Sequence, residues 1–254
     1  MGRLDGKVAI ITGGAGDFGA AASRRFVAEG CRVCVADIDA DRGNELAREL
    51  GEAAFFATCD HTDARAAADA VAQTVSRWGK LTTLFNNAGI IWSGDFDAAD
   101  DAVFARVLEV DLMGVVRMTH AALPALRDNA TRDTQAGSSV LITSSGLGLR
   151  GAPGTSAYAV AKHALVGLMR SLGQELGPEN IRVNALCPGA SDTAGMRAAW
   201  PAPDETLRNF KDRTPLRRNV EPLDVANAAV FLASDEARNI HSHSLAIDGG
   251  IYGL

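Results

Sequence analysis

Short, almost unbroken apolar runs alternate with longer stretches of helical spacing from one end of this sequence to the other. The runs fall at 8–12, 32–36, 54–58, 83–86, 139–143, 183–186 and 244–247. A strand with one wet face alternates apolar and polar residues, whereas a run apolar at nearly every position suits a strand covered on both faces. Between the runs, helical spacing occupies 20–29, 41–50, 64–78, 103–126, 157–176 and 223–233. This alternation predicts an α/β fold: a doubly wound parallel sheet of about seven strands with helices on both faces. No linker, repeat or low-complexity stretch interrupts the 254 residues, so a single domain over 1–254 is expected. Two stretches look irregular. One is a polar loop at 128–137; the other is 194–215, which holds Pro201, Pro203 and Pro215.

Charge narrows the range of partners. The net charge is −6 and there is no basic block, so neither nucleic acid nor an anionic membrane is an expected partner. No apolar run approaches the length of a bilayer span, and no signal-like apolar region precedes the first strand. A cytoplasmic location is expected, without a bound metal. Cys31 and Cys34 have the spacing of a redox pair, but Cys34 lies inside an apolar strand run. Together with Cys59 and Cys187 they read as free, buried thiols in a reducing compartment.

The turn after the first run is Thr12-Gly13-Gly14-Ala15-Gly16-Asp17-Phe18-Gly19, and helical spacing follows it. Glycines there permit a tight turn and close approach of backbone N–H groups to a pyrophosphate at a helix N-terminus. Asp37 ends the second run, where an acidic side chain can hydrogen-bond an adenosine ribose diol and repel a 2′-phosphate. This reading favours NAD over NADP.

Tyr158 and Lys162 lie four residues apart in helical spacing, on one face and one turn from each other. A free phenol titrates near pH ~10 and exchanges protons poorly at neutral pH. A lysine cation beside it stabilises the phenolate and readies it for proton exchange with an alcohol or ketone.

With these motifs in order, the whole chain resembles the classical short-chain dehydrogenase/reductase family, which has a Rossmann-type fold. The motifs that carry the resemblance are the glycine turn, Asn86-Asn87-Ala88-Gly89, Ser145 13 residues before Tyr158, Pro188-Gly189 with Thr193, and Asp248-Gly249-Gly250. The resemblance implies an NAD-dependent enzyme that interconverts a secondary alcohol and a ketone. Tyr158 would be the acid or base and Ser145 the hydrogen-bond partner of the carbonyl oxygen. Lys162 would bind the ribose and tune Tyr158, and Asp111 would serve a proton relay. For the cofactor the implied set is Gly13, Gly16, Asp17, Phe18 and Gly19 at the turn, then Asp37, Ile38, Asp60 and His61 towards adenine. Asn87, Ala88, Gly89, Tyr158, Lys162, Pro188, Gly189, Ser191 and Thr193 would continue it to the nicotinamide. A substrate lid at about 190–215 and a homotetramer are also implied.

By family position the substrate pocket would draw on Trp92, Ser145, Leu147, Leu149, Tyr158, Ala190, Met196 and Trp200. Such a lining suggests a hydrophobic or cyclic small-molecule substrate. Arg197, Arg208 and Lys211 leave open an anionic one. The chain departs from the family pattern at Asp17, where glycine is usual, at Asp111, where asparagine is usual, and at His241-Ser242, where Thr-Gly is common. A carboxylate at 17 disfavours a nearby pyrophosphate unless it points away. An ionised Asp111 near Lys162 would raise the lysine's pKa and weaken its help to Tyr158. The alternatives are a 3-ketoacyl-carrier reductase using NADPH and a non-catalytic nucleotide-binding scaffold or sensor.

Overall fold

The computed structural model describes residues 2–133 and 137–252. Seven strands form one sheet: Val8–Thr12 (β1), Arg32–Asp37 (β2), Ala54–Thr58 (β3), Thr83–Asn86 (β4), Ser138–Thr143 (β5), Ile181–Pro188 (β6) and Ser244–Ile247 (β7). Their order is β3-β2-β1-β4-β5-β6-β7, and every pairing is parallel. The helices are Asp17–Ala28 (α1), Ala40–Leu50 (α2), Ala64–Trp78 (α3), Asp101–Leu108 (α4), Gly114–Arg132 (α5), Ser156–Leu176 (α6), Ala194–Ala199 (α7), Pro203–Arg213 (α8) and Pro222–Ala233 (α9). A π-helical turn, Glu109–Met113, joins α4 to α5.

The unbroken apolar runs are explained by two cores, one on each face of the sheet. Side chains of a strand point alternately to opposite faces. In β1, Ile10 enters a core with Val71 of α3, Met118 and Leu126 of α5 and Leu165 of α6. Its neighbours Ala9 and Ile11 enter the opposite core, with Phe26 of α1, Leu46 of α2 and Val225 of α9. In β5 the same division sends Val140 and Ile142 one way and Leu141 the other.

Helix starts follow local capping chemistry. The Asp39, Asp63 and Asp100 carboxylates accept backbone N–H groups of Arg42, Arg65 and Val103, which opens α2, α3 and α4. Glu221 and Asp224 form a reciprocal capping box at α9, with Pro222 as its first residue.

Three expectations about elements need correction. The spacing over 103–126 is not one helix, because the π turn divides it and α5 continues to Arg132. That extension turns 128–132 of the expected polar loop into helix, while 134–136 lie outside the described residues. The expected irregular stretch at 194–215 contains α7 and α8. Pro203 is the first residue of α8, where its missing N–H costs no helical bond. Among the described residues no helix is long and apolar enough to cross a membrane. All four cysteines are buried and unpaired. Burial pushes the Cys34 thiol up to about 12 and Cys59 and Cys187 up to about 11, which keeps them protonated and unreactive.

Candidate active site

Strand order reverses direction between β1 and β4, where the chain leaves for β2 on one side and returns to β4 on the other. In open α/β sheets the carboxyl ends of the strands leave a crevice at such a point. Here a cleft of about 660 Å³ opens there, lined from Asp37 and Asp60 at one end to Met196 and Trp200 at the other.

The glycine turn forms one wall. Gly13 has φ +59, and an added Cβ would stand 2.8 Å from the Ala88 backbone. Gly16 caps α1 without a side chain, so the first-turn N–H groups of that helix keep their capacity for an anion. Asn87 pins this wall to the rest of the sheet. Its backbone N–H donates to Thr12 Oγ1 (3.0 Å), its amide donates to the Thr12 carbonyl (3.2 Å), and its Oδ1 accepts from Thr143 (3.1 Å).

At the end of β2 both oxygens of Asp37 are held, Oδ2 by Ala15 N–H (2.9 Å) and Oδ1 by Asp39 N–H (3.0 Å). Its carboxylate faces the cleft with Ile38, Arg42 and Asp60. The Asp60 carboxyl lies below its ordinary pKa because Thr62 donates to it from both hydroxyl and backbone. His61 lines the cleft yet is 5% exposed, and among the described residues neither ring nitrogen has a hydrogen-bond partner. Burial pushes its pKa down, so the ring is neutral at pH 7.

Ser145, Tyr158 and Lys162 meet in the middle of the cleft. Ser145 follows β5 and opens a short turn by accepting Leu147 N–H (3.1 Å). Tyr158 and Lys162 lie on the buried face of α6, and the lysine Nζ is 5.3 Å from the phenol ring centre. Nζ donates to the Thr143 carbonyl (3.3 Å) and forms an ion pair with Asp111 Oδ2 at 3.0 Å. Asp111 is fully buried on the π turn, behind the lysine, and its Oδ1 accepts Ile90 N–H (2.8 Å).

Burial lowers the Lys162 pKa, but Asp111 and then Tyr158 outweigh it and the net direction is up. Tyr158 is raised as well: burial pushes it up, Lys162 pulls it down, Asp111 pushes it up, and a hydrogen bond with Ser145 pulls it down. Ser144, the neighbouring serine, donates instead to the Lys162 carbonyl (2.9 Å), and His163 is exposed with its ring against the Ala159 carbonyl.

Most residues singled out in the sequence line this cleft: Gly13, Gly16, Asp17, Phe18, Asp37, Ile38, Asp60, His61, Asn87, Ala88 and Gly89. Pro188, Gly189, Ala190, Ser191, Thr193, Leu147, Met196 and Trp200 do so as well. Four residues stand elsewhere. Trp92 packs beside the cleft, against Val107 of α4 and Ala157 and Ala161 of α6. Leu149 turns into the core with α3, α5 and α6. Neither contributes to the lining. Gly19 lies beneath the turn, where an added Cβ would meet the Gly13 carbonyl at 1.9 Å. Asp111 stands behind the cleft wall, against Lys162 and Ile90.

The sequence reading missed Ile90, Ile91, Arg106, Pro153 and Tyr252 in the lining. Tyr252 lies in the C-terminal tail that follows Asp248-Gly249-Gly250. Residues 253–254 of that tail lie outside the described residues, while Asp248 Oδ2 accepts Tyr252 N–H (3.1 Å) and holds the ring at the cleft.

A seven-stranded parallel sheet with a glycine turn at its switch point and a Ser-Tyr-Lys group in the adjoining cleft defines an oxidoreductase of the dinucleotide-binding type. Comparison with known proteins gives the family. A family model described as enoyl-(acyl carrier protein) reductase matches residues 14–252. Momilactone A synthase of Oryza sativa subsp. japonica is 39% identical, over 98% of this chain and 91% of its own. Trans-4-hydroxycyclohexanecarboxylate dehydrogenase of Sinomonas cyclohexanicum is 36% identical, over 98% and 93%. Among solved structures, a 3-ketoacyl-(acyl-carrier-protein) reductase from Brucella melitensis complexed with NADH superposes with a TM-score of 0.92 at 32% identity, over 98% of this chain and 99% of that one. Levodione reductase superposes with a TM-score of 0.91 at 30% identity, over 99% and 100%. The chain belongs to the short-chain dehydrogenase/reductase family.

Proposed function

We propose that the protein is an NAD-dependent oxidoreductase interconverting a secondary alcohol and a ketone on a hydrophobic or cyclic substrate. The observation that carries this reading is the convergence of Ser145, Tyr158 and Lys162 on the cleft that also holds the glycine turn and Asp37. The residues present fit a dinucleotide. Gly13 and the uncapped N-terminus of α1 leave room and N–H donors for a pyrophosphate, and Asp37 and Asp60 suit a ribose and an adenine. When bound, the nicotinamide supplies or accepts the hydride. In reduction Ser145 hydrogen-bonds the carbonyl oxygen and Tyr158 donates a proton to it. Lys162 holds its charge beside Tyr158 and offsets part of the cost of forming a buried phenolate. In oxidation the same phenol oxygen takes the alcohol proton.

Asp37 supports NAD over NADP, because a carboxylate fixed at that spot repels a ribose 2′-phosphate. The substrate end is walled by Ile90, Ile91, Leu147, Pro153, Met196 and Trp200, which suits an apolar ring or chain. Trans-4-hydroxycyclohexanecarboxylate dehydrogenase, named for a cyclic alcohol, supports a ring. Arg197 is not free to read an anionic substrate. It is already held by Asp192 (2.5 and 2.7 Å) and Asp204 (3.0 Å).

We also read 1–254 as one domain with a lid at about 190–215, working in the cytoplasm as a homotetramer. Met113 and Val160, exposed on neighbouring elements, support an interface between copies. A second reading, reduction of a 3-ketoacyl group, is favoured by the function named for the solved Brucella relative. Parallel assays with cyclic ketones and a ketoacyl thioester separate the two.

The decisive variant is Tyr158→Phe. Turnover is expected to vanish while NADH still binds by nucleotide fluorescence; retained turnover would sink the proton-transfer role.

A further inference from the structure

The sequence reading made Asp17 a burden on a pyrophosphate site unless its carboxylate points away. Its side chain does leave the turn and accepts Ala194 N–H at 2.7 Å, bridging residues 177 apart in sequence. We propose that Asp17 is a positioning residue for the substrate pocket, anchoring α7 to the phosphate turn and so coupling dinucleotide binding to substrate binding. This rests on the reading that the cleft takes a dinucleotide and a carbonyl compound together.

The argument starts from the length of α7. A helix of six residues is too short to hold itself together, and its first N–H groups need acceptors from outside the helix. Thr193 Oγ1 takes Met196 N–H (3.2 Å) and Asp17 Oδ2 takes Ala194 N–H. The Asp17 bond is charge-assisted, and a carboxylate beside a helix N-terminus is favourably placed. At the other end of α7 the Ser93 hydroxyl donates to the Ala199 carbonyl. Among the described residues the Asp17 and Ser93 bonds are the ones that tie 193–200 to segments outside 192–204. The ion pairs of Arg197 go to Asp192 and Asp204, within the same segment, and fix it to nothing else.

Between the two anchors α7 carries Met196, which is buried and lines the cleft, and leads to Trp200. Asp17 is also the first residue of α1, so its backbone belongs to the phosphate turn while its side chain holds the pocket wall. An anion that orders the first turn of α1 orders the anchor of α7. By reciprocity, a substrate resting on Met196 steadies the turn.

The carboxylate is aimed at α7 rather than at the turn, so removing it acts on the substrate end and spares the dinucleotide. In Asp17→Ala the KM for a ketone substrate is expected to rise about tenfold, the worth of a charge-assisted hydrogen bond, while the NADH Kd stays the same or falls. Amide exchange in 194–199 of the ligand-free protein is expected to quicken by a similar factor. Asp17→Asn keeps a neutral acceptor, so it recovers part of the slow exchange and of the low KM. Wild-type exchange in Asp17→Ala would overturn the anchor. A parallel loss of NADH and ketone affinity would overturn the coupling and indicate a damaged turn. If no ketone is turned over, the proposed activity fails but exchange still decides the anchor.

Discussion

At the scale of single residues, the central event is electrostatic. An aspartate at position 111 gives Lys162 a buried counter-charge at 3.0 Å, so the lysine stays protonated but spends part of its field on Asp111. Tyr158 therefore keeps a raised pKa despite its lysine. The sign can be followed in each direction. Ketone reduction needs the protonated phenol, so it persists to high pH and is lost only above the Tyr158 pKa. Alcohol oxidation needs the phenolate, so it climbs with pH towards that value. Asp111→Asn removes one influence that raises Tyr158 and keeps an oxygen for Ile90 N–H. The alkaline rise of kcat/KM for oxidation is then expected to move to lower pH, as measured by paired pH–rate profiles; an unmoved rise would mean that Asp111 does not reach the phenol. Asp111 was legible in the sequence as a departure with a direction. The aim of the Asp17 carboxylate was not, because its partner is 177 residues away.

Among elements, the strands and long helices could be read because each repeats one period over enough residues to be seen. The π turn could not, since apolar spacing runs through 103–126 while the backbone widens at Glu109–Met113. The helix α8 has a single buried residue, Leu207, so periodicity misses it. Its ends are instead set by Pro203 at the start and by charges that suit the helix dipole, Asp204 and Glu205 in the first turn and Lys211 and Arg213 in the last. At Ser242, φ is +54, a conformation in which glycine carries no penalty, so serine there is a local strain the fold absorbs. Gly19 tests the junction of β1 and α1 directly. A methyl group there would overlap the Gly13 carbonyl, and the phosphate turn must shift to admit it. Gly19→Ala is expected to weaken NADH binding by roughly 5- to 150-fold if overpacking of about 1–3 kcal/mol falls on the bound state, as read by nucleotide fluorescence. Unchanged affinity would show that the turn yields without cost.

At the scale of the whole molecule, the cleft gathers segments from both halves of the sheet. Gly13 and Asp37 come from the β1–β3 side, and Asn87, Ser145 and Pro188 from the β4–β6 side. That convergence could be inferred from topology alone, because parallel strands place all their carboxyl ends together. The apolar wall of the substrate end could not be assigned residue by residue, since whether Trp92 or Tyr252 faces the cleft depends on packing between distant segments. A ligand spanning both halves binds only the folded chain, so it must raise stability by mass action. At 100 times Kd the gain is about 2.7 kcal/mol, or roughly 5–10 °C in Tm for a chain of this size. NADH is expected to give a shift of that order in a thermal melt, and NADPH at equal concentration much less, because Asp37 meets its 2′-phosphate. In Asp37→Asn the charge is gone while an acceptor remains for Ala15 or Asp39 N–H, so the NADPH shift should grow towards that of NADH. If both dinucleotides shift the wild-type melt equally, Asp37 is not the selector, and Arg42 and Arg106, which line the same end of the cleft, become the groups that receive the phosphate.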